Sequence, residues 1–95
     1  MRVEAASLDV TEWAERVADL YGDSVSLHDT MREVLISFLT EALNGAAEAR
    51  PHDFSHWVDF ANQGLAAFED RFPEAKGCRL EAIDSPKNLH LRCRR

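Results

Sequence analysis

Apolar residues recur along most of this chain at the three-and-four spacing of a buried helix face, then switch to strict alternation near the C-terminus. The first stripe is Val10, Trp13, Val17, Leu20 and Tyr21. Asp9 before it is placed to cap the exposed amides, Glu12 follows as in a capping box, and Leu8 with Trp13 fits a hydrophobic staple. Gly22 is the expected stop. The second stripe, Leu27, Met31, Val34, Leu35, Phe38, Leu39, Ala42 and Leu43, is the widest and predicts a central helix. Its expected limits are a Ser26 cap, with Asp29 three residues on, and a stop at Asn44-Gly45. Pro51 disfavours helical backbone at Arg50 and marks a connection. The third stripe, Phe54, Trp57, Val58, Ala61, Leu65, Phe68 and Phe72, predicts a helix starting near Asp53 or Ser55 and ending at Phe72, before Pro73.

After Gly77 the period becomes two: Cys78, Leu80 and Ala82 alternate with Arg79, Glu81 and Ile83, and Leu89, Leu91 and Cys93 alternate with His90, Arg92 and Arg94. Ser85-Pro86-Lys87-Asn88 fits a type I turn between two strands. A loop over Asp84 to Lys87 pairs Ala82 with Leu89, Leu80 with Leu91 and Cys78 with Cys93 on the buried face, and sets Arg79 opposite Arg92 on the other. Met1 to Ala5, with Val3 between Arg2 and Glu4, is a candidate third strand. The expected fold is α+β: a single small domain over residues 1–95, with three amphipathic helices packed on a C-terminal antiparallel β-hairpin.

Charge divides the chain at the same place as the period. Met1 to Ala75 carries five Arg/Lys against fifteen Asp/Glu, a balance of −10, whereas Lys76 to Arg95 carries six against two, a balance of +4. An acidic helical body with a basic hairpin steers charged partners differently at its two ends. Arg79 and Arg92 face each other in the expected register, with Arg94 and Arg95 beside them, and like charges opposed across strands are destabilising. Something anionic should lie over them. One candidate is the chain's own Glu69, Asp70 and Glu74 cluster; the other is an acidic partner.

Other chemistry is sparse. His52 and His56 flank Asp53 at a spacing that could put two imidazoles on one helical face, but no third ligand is fixed by the sequence. Cys78 and Cys93 read as small buried hydrophobes in a reducing cytosol; a redox-sensitive bridge, or soft ligation together with His90, is the lesser reading. Gly22, Gly45, Gly64 and Gly77 are scattered, so no phosphate loop or dinucleotide fingerprint is formed, and no nucleophile triad is ordered. No catalysis and no cofactor are implied. The longest apolar clusters, such as Val34-Leu35-Ile36, fall far short of the ~18 residues of a membrane span. The start, Met1 to Ser7, has Glu4 and no apolar run behind it, unlike a secretory leader, so a cytoplasmic setting is expected.

Three helices followed by a hairpin have the order of a winged helix-turn-helix domain, yet the third helix offers Asp59, Glu69 and Asp70 with only Arg71 as a base. From Phe72-Pro73 onward, the last quarter of the chain resembles the C-terminal end of vinyl-reductase and haem nitric-oxide-binding type domains: helix, Phe-Pro, two short strands. The Tyr-x-Ser-x-Arg signature of the haem binders is absent where Leu91-Arg92-Cys93-Arg94-Arg95 stands, so that resemblance implies no haem. Ile36, Phe60 and Ile83 lie outside the stripes, and the Phe60 edge carries Gly64 and Ala67, small enough for another helix to approach. With an open sheet edge, this favours self-association, most simply as a homodimer.

The reading that results is a non-catalytic interaction or regulatory module, whose basic hairpin meets an acidic protein or a second copy of itself through Arg79, His90, Arg92 and Arg94. The alternatives are a small winged-helix-like nucleic-acid-binding regulator, an acidic inhibitor that mimics nucleic acid, and a His/Cys metal-binding protein. Nucleic acid is disfavoured as a direct partner by the −10 body.

Overall fold

The structure is a computed structural model that describes residues 9–50, 53–75, 77–81 and 89–93. Helices α1 (Val10–Ser24), α2 (Asp29–Ala49) and α3 (Phe54–Arg71) are followed by a one-turn 3-10 helix (Pro73–Ala75) and strands β1 (Cys78–Leu80) and β2 (Leu91–Cys93). The three helices pack against the two-stranded antiparallel sheet, the α+β arrangement that the change of period implies.

The start of α1 follows from its cap. Asp9 Oδ1 accepts from the backbone N–H of Thr11 at 2.8 Å and of Glu12 at 3.2 Å, satisfying two of the amides left open at a helix start. The buried face is Trp13, Ala14, Val17, Ala18 and Tyr21, with the two alanines in place of Leu20, which is only half-buried. Gly22 does not stop the helix. It keeps a non-positive φ, and the helix continues to Ser24, where Val25 N–H bonds to Tyr21 O at 2.8 Å.

α2 begins two residues later than expected, capped by His28 Nδ1, which accepts from Met31 N–H at 3.4 Å. Leu27 has to reach back toward Gly22 and the core, which leaves Ser26 outside the helix. Nor does α2 end at Asn44-Gly45. Gly45 serves space rather than termination: a Cβ there would lie 2.9 Å from Phe60 Cε2 of α3. Gly64 does the same from the other side, where a Cβ would meet both Leu39 Cδ2 and the Phe38 carbonyl oxygen at 3.3 Å. The α2–α3 crossing is therefore set by two glycines, since interhelical distance depends on the side chains at the contact.

α3 matches its expected limits. Asp53 Oδ1 accepts from His56 N–H at 3.2 Å, and Phe72 N–H closes the last turn on Phe68 O at 2.9 Å. The core between helices is aromatic: Trp13 meets Trp57 edge-on with centroids 6.0 Å apart, and Tyr21 meets Phe68 at 6.2 Å. Gly77, with φ 142°, turns the chain from the 3-10 helix into β1 through a backbone region that side chains rarely adopt.

The sheet has the expected register, Cys78 with Cys93, Arg79 with Arg92 and Leu80 with Leu91. Cys78 and Leu80 are buried, and Leu91 is half-buried. The cysteines are not separate buried thiols: Cys78 and Cys93 are joined in a disulfide, with Cα atoms 4.0 Å apart. Register alone brings them there, because directly opposed residues in a non-hydrogen-bonded pair approach more closely than any other pair in a ladder. Leu8, the 85–88 turn, the Ala82–Leu89 pairing and the Met1–Ala5 strand lie outside the described residues.

Candidate functional site: the hairpin and its anchor

α3 carries two polar residues on the side that meets β1. Asn62 and Glu69 are seven apart, two helical turns, so they project along nearly one line. Asn62 takes both peptide groups of Leu80: its Nδ2 donates to Leu80 O at 3.0 Å, and its Oδ1 accepts from Leu80 N–H at 2.8 Å. Glu69, only 8% exposed, takes the next residue. Its Oε2 accepts from Arg79 Nη1 at 2.7 Å and from the Tyr21 hydroxyl at 2.6 Å.

Tyr21 also lies in hydrogen-bonding contact with the Ala75 carbonyl, and Arg79 Nη1 reaches the Cys78 carbonyl at 2.7 Å. One carboxylate thereby ties α1, α3 and β1 together. Burial alone would raise the Glu69 carboxyl, but hydrogen bonds from Arg79 and Tyr21, the guanidinium charge and the Gly77 N–H outweigh it and hold the group below its ordinary range. Burial first, then the bond to Glu69 and its charge, push the Tyr21 phenol well above its usual 10.0.

Of the arginines opposed across the ladder, Arg79 is thus neutralised by the chain's own acidic body, through Glu69 rather than Asp70 or Glu74, both of which are exposed. Arg92 is not. Its side chain is 82% exposed, and Glu81 Oε1 stands 3.7 Å from its Nε, an exposed pair of the kind that contributes about 0–1 kcal/mol. His90 is exposed beside it, and Arg94 lies outside the described residues. Of the four residues singled out on the hairpin, the structure therefore separates the three it describes: Arg79 is an anchor, and Arg92 and His90 are exposed surface.

The remaining candidates resolve differently. The Cys78–Cys93 bond removes both thiols as soft ligands. His56 packs its ring against Phe60, with centroids 4.6 Å apart, and His52 lies outside the described residues. Among the described residues, no group of three or more His, Cys, Asp or Glu is arranged to hold a metal ion. The Phe60–Gly64 edge, read as an approach for another helix, meets α2 of the same chain, which removes that support for a dimer. Ile36 packs on the core, and Ile83 is not described. A shallow groove over that crossing is lined by Phe38, Glu41, Ala42, Gln63, Gly64 and Ala67. No helix among the described residues is long and apolar enough to cross a membrane.

Asn62 escaped the sequence reading, although its signal is present. It sits four residues after Val58 and three before Leu65, a polar residue on an apolar stripe, which calls for a buried partner. No family model, curated protein or solved structure matches this chain.

Proposed function

We propose that this protein is a non-catalytic interaction module whose binding surface is the basic hairpin, with Arg92 and His90 as the described contact residues and Arg94 continuing the same face in sequence. The observation that carries this reading is the unequal treatment of two opposed arginines: Glu69 takes Arg79, while Arg92 stands exposed with, among the described residues, only a loose Glu81 contact. Fixing β1 from within leaves the guanidinium of β2 available to an acidic partner. A protein partner is favoured over a second copy, because joining two hairpins side by side would bring Arg92 of each into proximity. Nucleic acid is disfavoured by the exposed face of α3, which presents Asp59 and Asp70. The Cys78–Cys93 bond favours a setting where thiols are oxidised over the cytoplasmic one expected from the start of the sequence.

The test replaces Arg92, Arg94 and Arg95 together by Gln and leaves Arg79 in place. Binding to an immobilised polyglutamate peptide and sedimentation of the free protein are then compared with the unaltered chain. Weakened retention supports the reading; unchanged retention and unchanged sedimentation remove it.

A further inference from the structure

The two edges of the sheet are treated as differently as its two arginines. The bond from Glu81 N–H to His90 O, at 3.2 Å, sets the phase of the ladder. Residues 79 with 92 and 81 with 90 direct their peptide groups between the strands, so Cys78 and Leu80 turn theirs to the outer edge of β1, and Leu91 and Cys93 to the outer edge of β2. On β1 three of the four groups at that edge are taken. Asn62 holds both groups of Leu80, and Arg79 Nη1 holds the Cys78 carbonyl. On β2, among the described residues, the peptide groups of Leu91 and Cys93 meet no hydrogen-bond partner.

We infer that the outer edge of β2 accepts an extended acidic segment of a partner protein as a third strand, with a carboxylate of that segment on Arg92. The inference rests on the hairpin being the binding surface and adds how it binds. A strand laid on this edge pairs its main chain with Leu91 and Cys93, which supplies affinity without regard to sequence. Its side chains alternate, so acidic residues at every second position lie on the face of Arg92 and His90, and the intervening ones lie on the Leu91 side, where a half-buried leucine offers apolar surface.

Charge selects this occupant. The strand reads Leu91-Arg92-Cys93 and is followed by Arg94-Arg95, so a basic strand, including a second β2, meets like charge, and an acidic one meets opposite charge. The acidic body opposes a long polyanion laid across it, as a nucleic acid would be, but acts little on a short strand confined to the β2 edge, because screening acts over about 8 Å at physiological ionic strength. Glu81 is the one close competitor for Arg92 among the described residues, and an exposed pair at 3.7 Å is readily exchanged for an incoming carboxylate.

The probe is a peptide of about ten residues with alternating Glu and Val, the length range of an ordinary strand. It is compared with the same peptide N-methylated at alternate residues, which keeps the charges and removes the main-chain donors. Amide exchange at Leu91 and Cys93 is followed by NMR in the full chain, with the disulfide intact. In the free protein both amides should exchange fast. The unmethylated peptide should slow them by about tenfold or more. The methylated peptide should bind about tenfold more weakly. Equal, Arg92-dependent binding of both peptides without amide protection overturns the strand-pairing inference while leaving the hairpin as a binding surface. Binding of neither peptide removes both. Slow exchange in the free protein also overturns it: loss of that protection on dilution identifies a second copy as occupant, and persistence identifies the chain's own segment.

Discussion

Asn62 pairs with Leu80 as a neighbouring strand would, donating to its carbonyl and accepting from its N–H. A single side chain on α3 thus closes the edge of a three-residue strand at Leu80, one way proteins blunt an edge that would otherwise template association. Asn62→Ala should lower stability by about 1–2 kcal/mol, the net worth of two half-buried hydrogen bonds, seen as a lower urea midpoint at constant slope. Asn62→Asp keeps the acceptor, loses the donor and places a charge beside the strand, so it should rescue little. A change within error for both would mean that the Glu69–Arg79 pair, the disulfide and the burial of Cys78 and Leu80 hold β1 without the Asn62 bonds.

The Tyr21–Glu69–Arg79 cluster makes stability depend on pH at both ends. The folded-state carboxyl of Glu69 is held below its ordinary value, so its contribution is fully present above the unfolded value of about 4.5 and is lost as pH falls through the folded one. The phenol of Tyr21 is raised, so its contribution is present below 10.0 and is lost as pH rises above that value. Tyr21→Phe should cost about 1–3 kcal/mol at neutral pH, remove the alkaline loss and weaken the acid loss by depriving Glu69 of a donor. Urea melts across pH on wild type and Tyr21→Phe check this; identical profiles would contradict it.

Three glycines should answer differently to alanine. At Gly22, helical and with only Leu27 Cδ1 at 3.8 Å from an added Cβ, Ala should stabilise by about 0.5–1 kcal/mol. At Gly64 the new Cβ meets the Phe38 carbonyl, a backbone atom that cannot swing aside, so Ala should destabilise by about 1 kcal/mol or more despite its better helix propensity. At Gly77 the positive φ makes Ala strained whatever the space. Thermal melts of the three variants give the order; stabilisation at Gly64 would show that α2 and α3 can separate at little cost.

β1 is anchored by Asn62, Glu69 and the burial of Cys78 and Leu80, whereas two of the three residues of β2 are exposed. The disulfide, closing a separation of 15 residues, is therefore the main tie of β2, and a loop of that length is worth about 3 kcal/mol in the chain-entropy account. Reduction should lower stability by roughly that amount and release the amide protection at Arg92 while leaving α3 protected. Hydrogen exchange with and without dithiothreitol measures it. Arg92 protection that survives reduction would mean that the ladder holds β2 unaided.

Helix count, the caps Asp9 and Asp53, and the three described strand pairs were legible because each depends on spacing within a few residues. The limits of α2 were not, because Gly45 reads locally as a stop, and only the position of Phe60 on another helix shows that it is a contact. The same holds for the Phe60–Gly64 edge, a solvent-facing feature in sequence and an internal crossing in space. For the cysteines, register placed them opposite one another, while the expected reducing setting argued for separate buried thiols; the disulfide joins them. Arg79 was identified as a residue in need of an anion, and Glu69 as one of three suppliers, but which of them is buried depends on how α3 rolls against β1. Asn62 needed the question of what a polar residue does on an apolar stripe.

With Glu69 occupying Arg79, Arg92 is the guanidinium proposed to engage an acidic partner. The most direct test is the affinity of the alternating Glu-Val peptide for wild type, Arg92→Gln and Arg32→Gln, the last removing a half-buried arginine paired with Asp19 between α1 and α2. Arg92→Gln should weaken binding about two- to fivefold, the scale of one exposed ionic contact, and Arg32→Gln should leave it unchanged. Equal affinity for wild type and Arg92→Gln, or equal losses in both variants, would contradict the proposed role of Arg92.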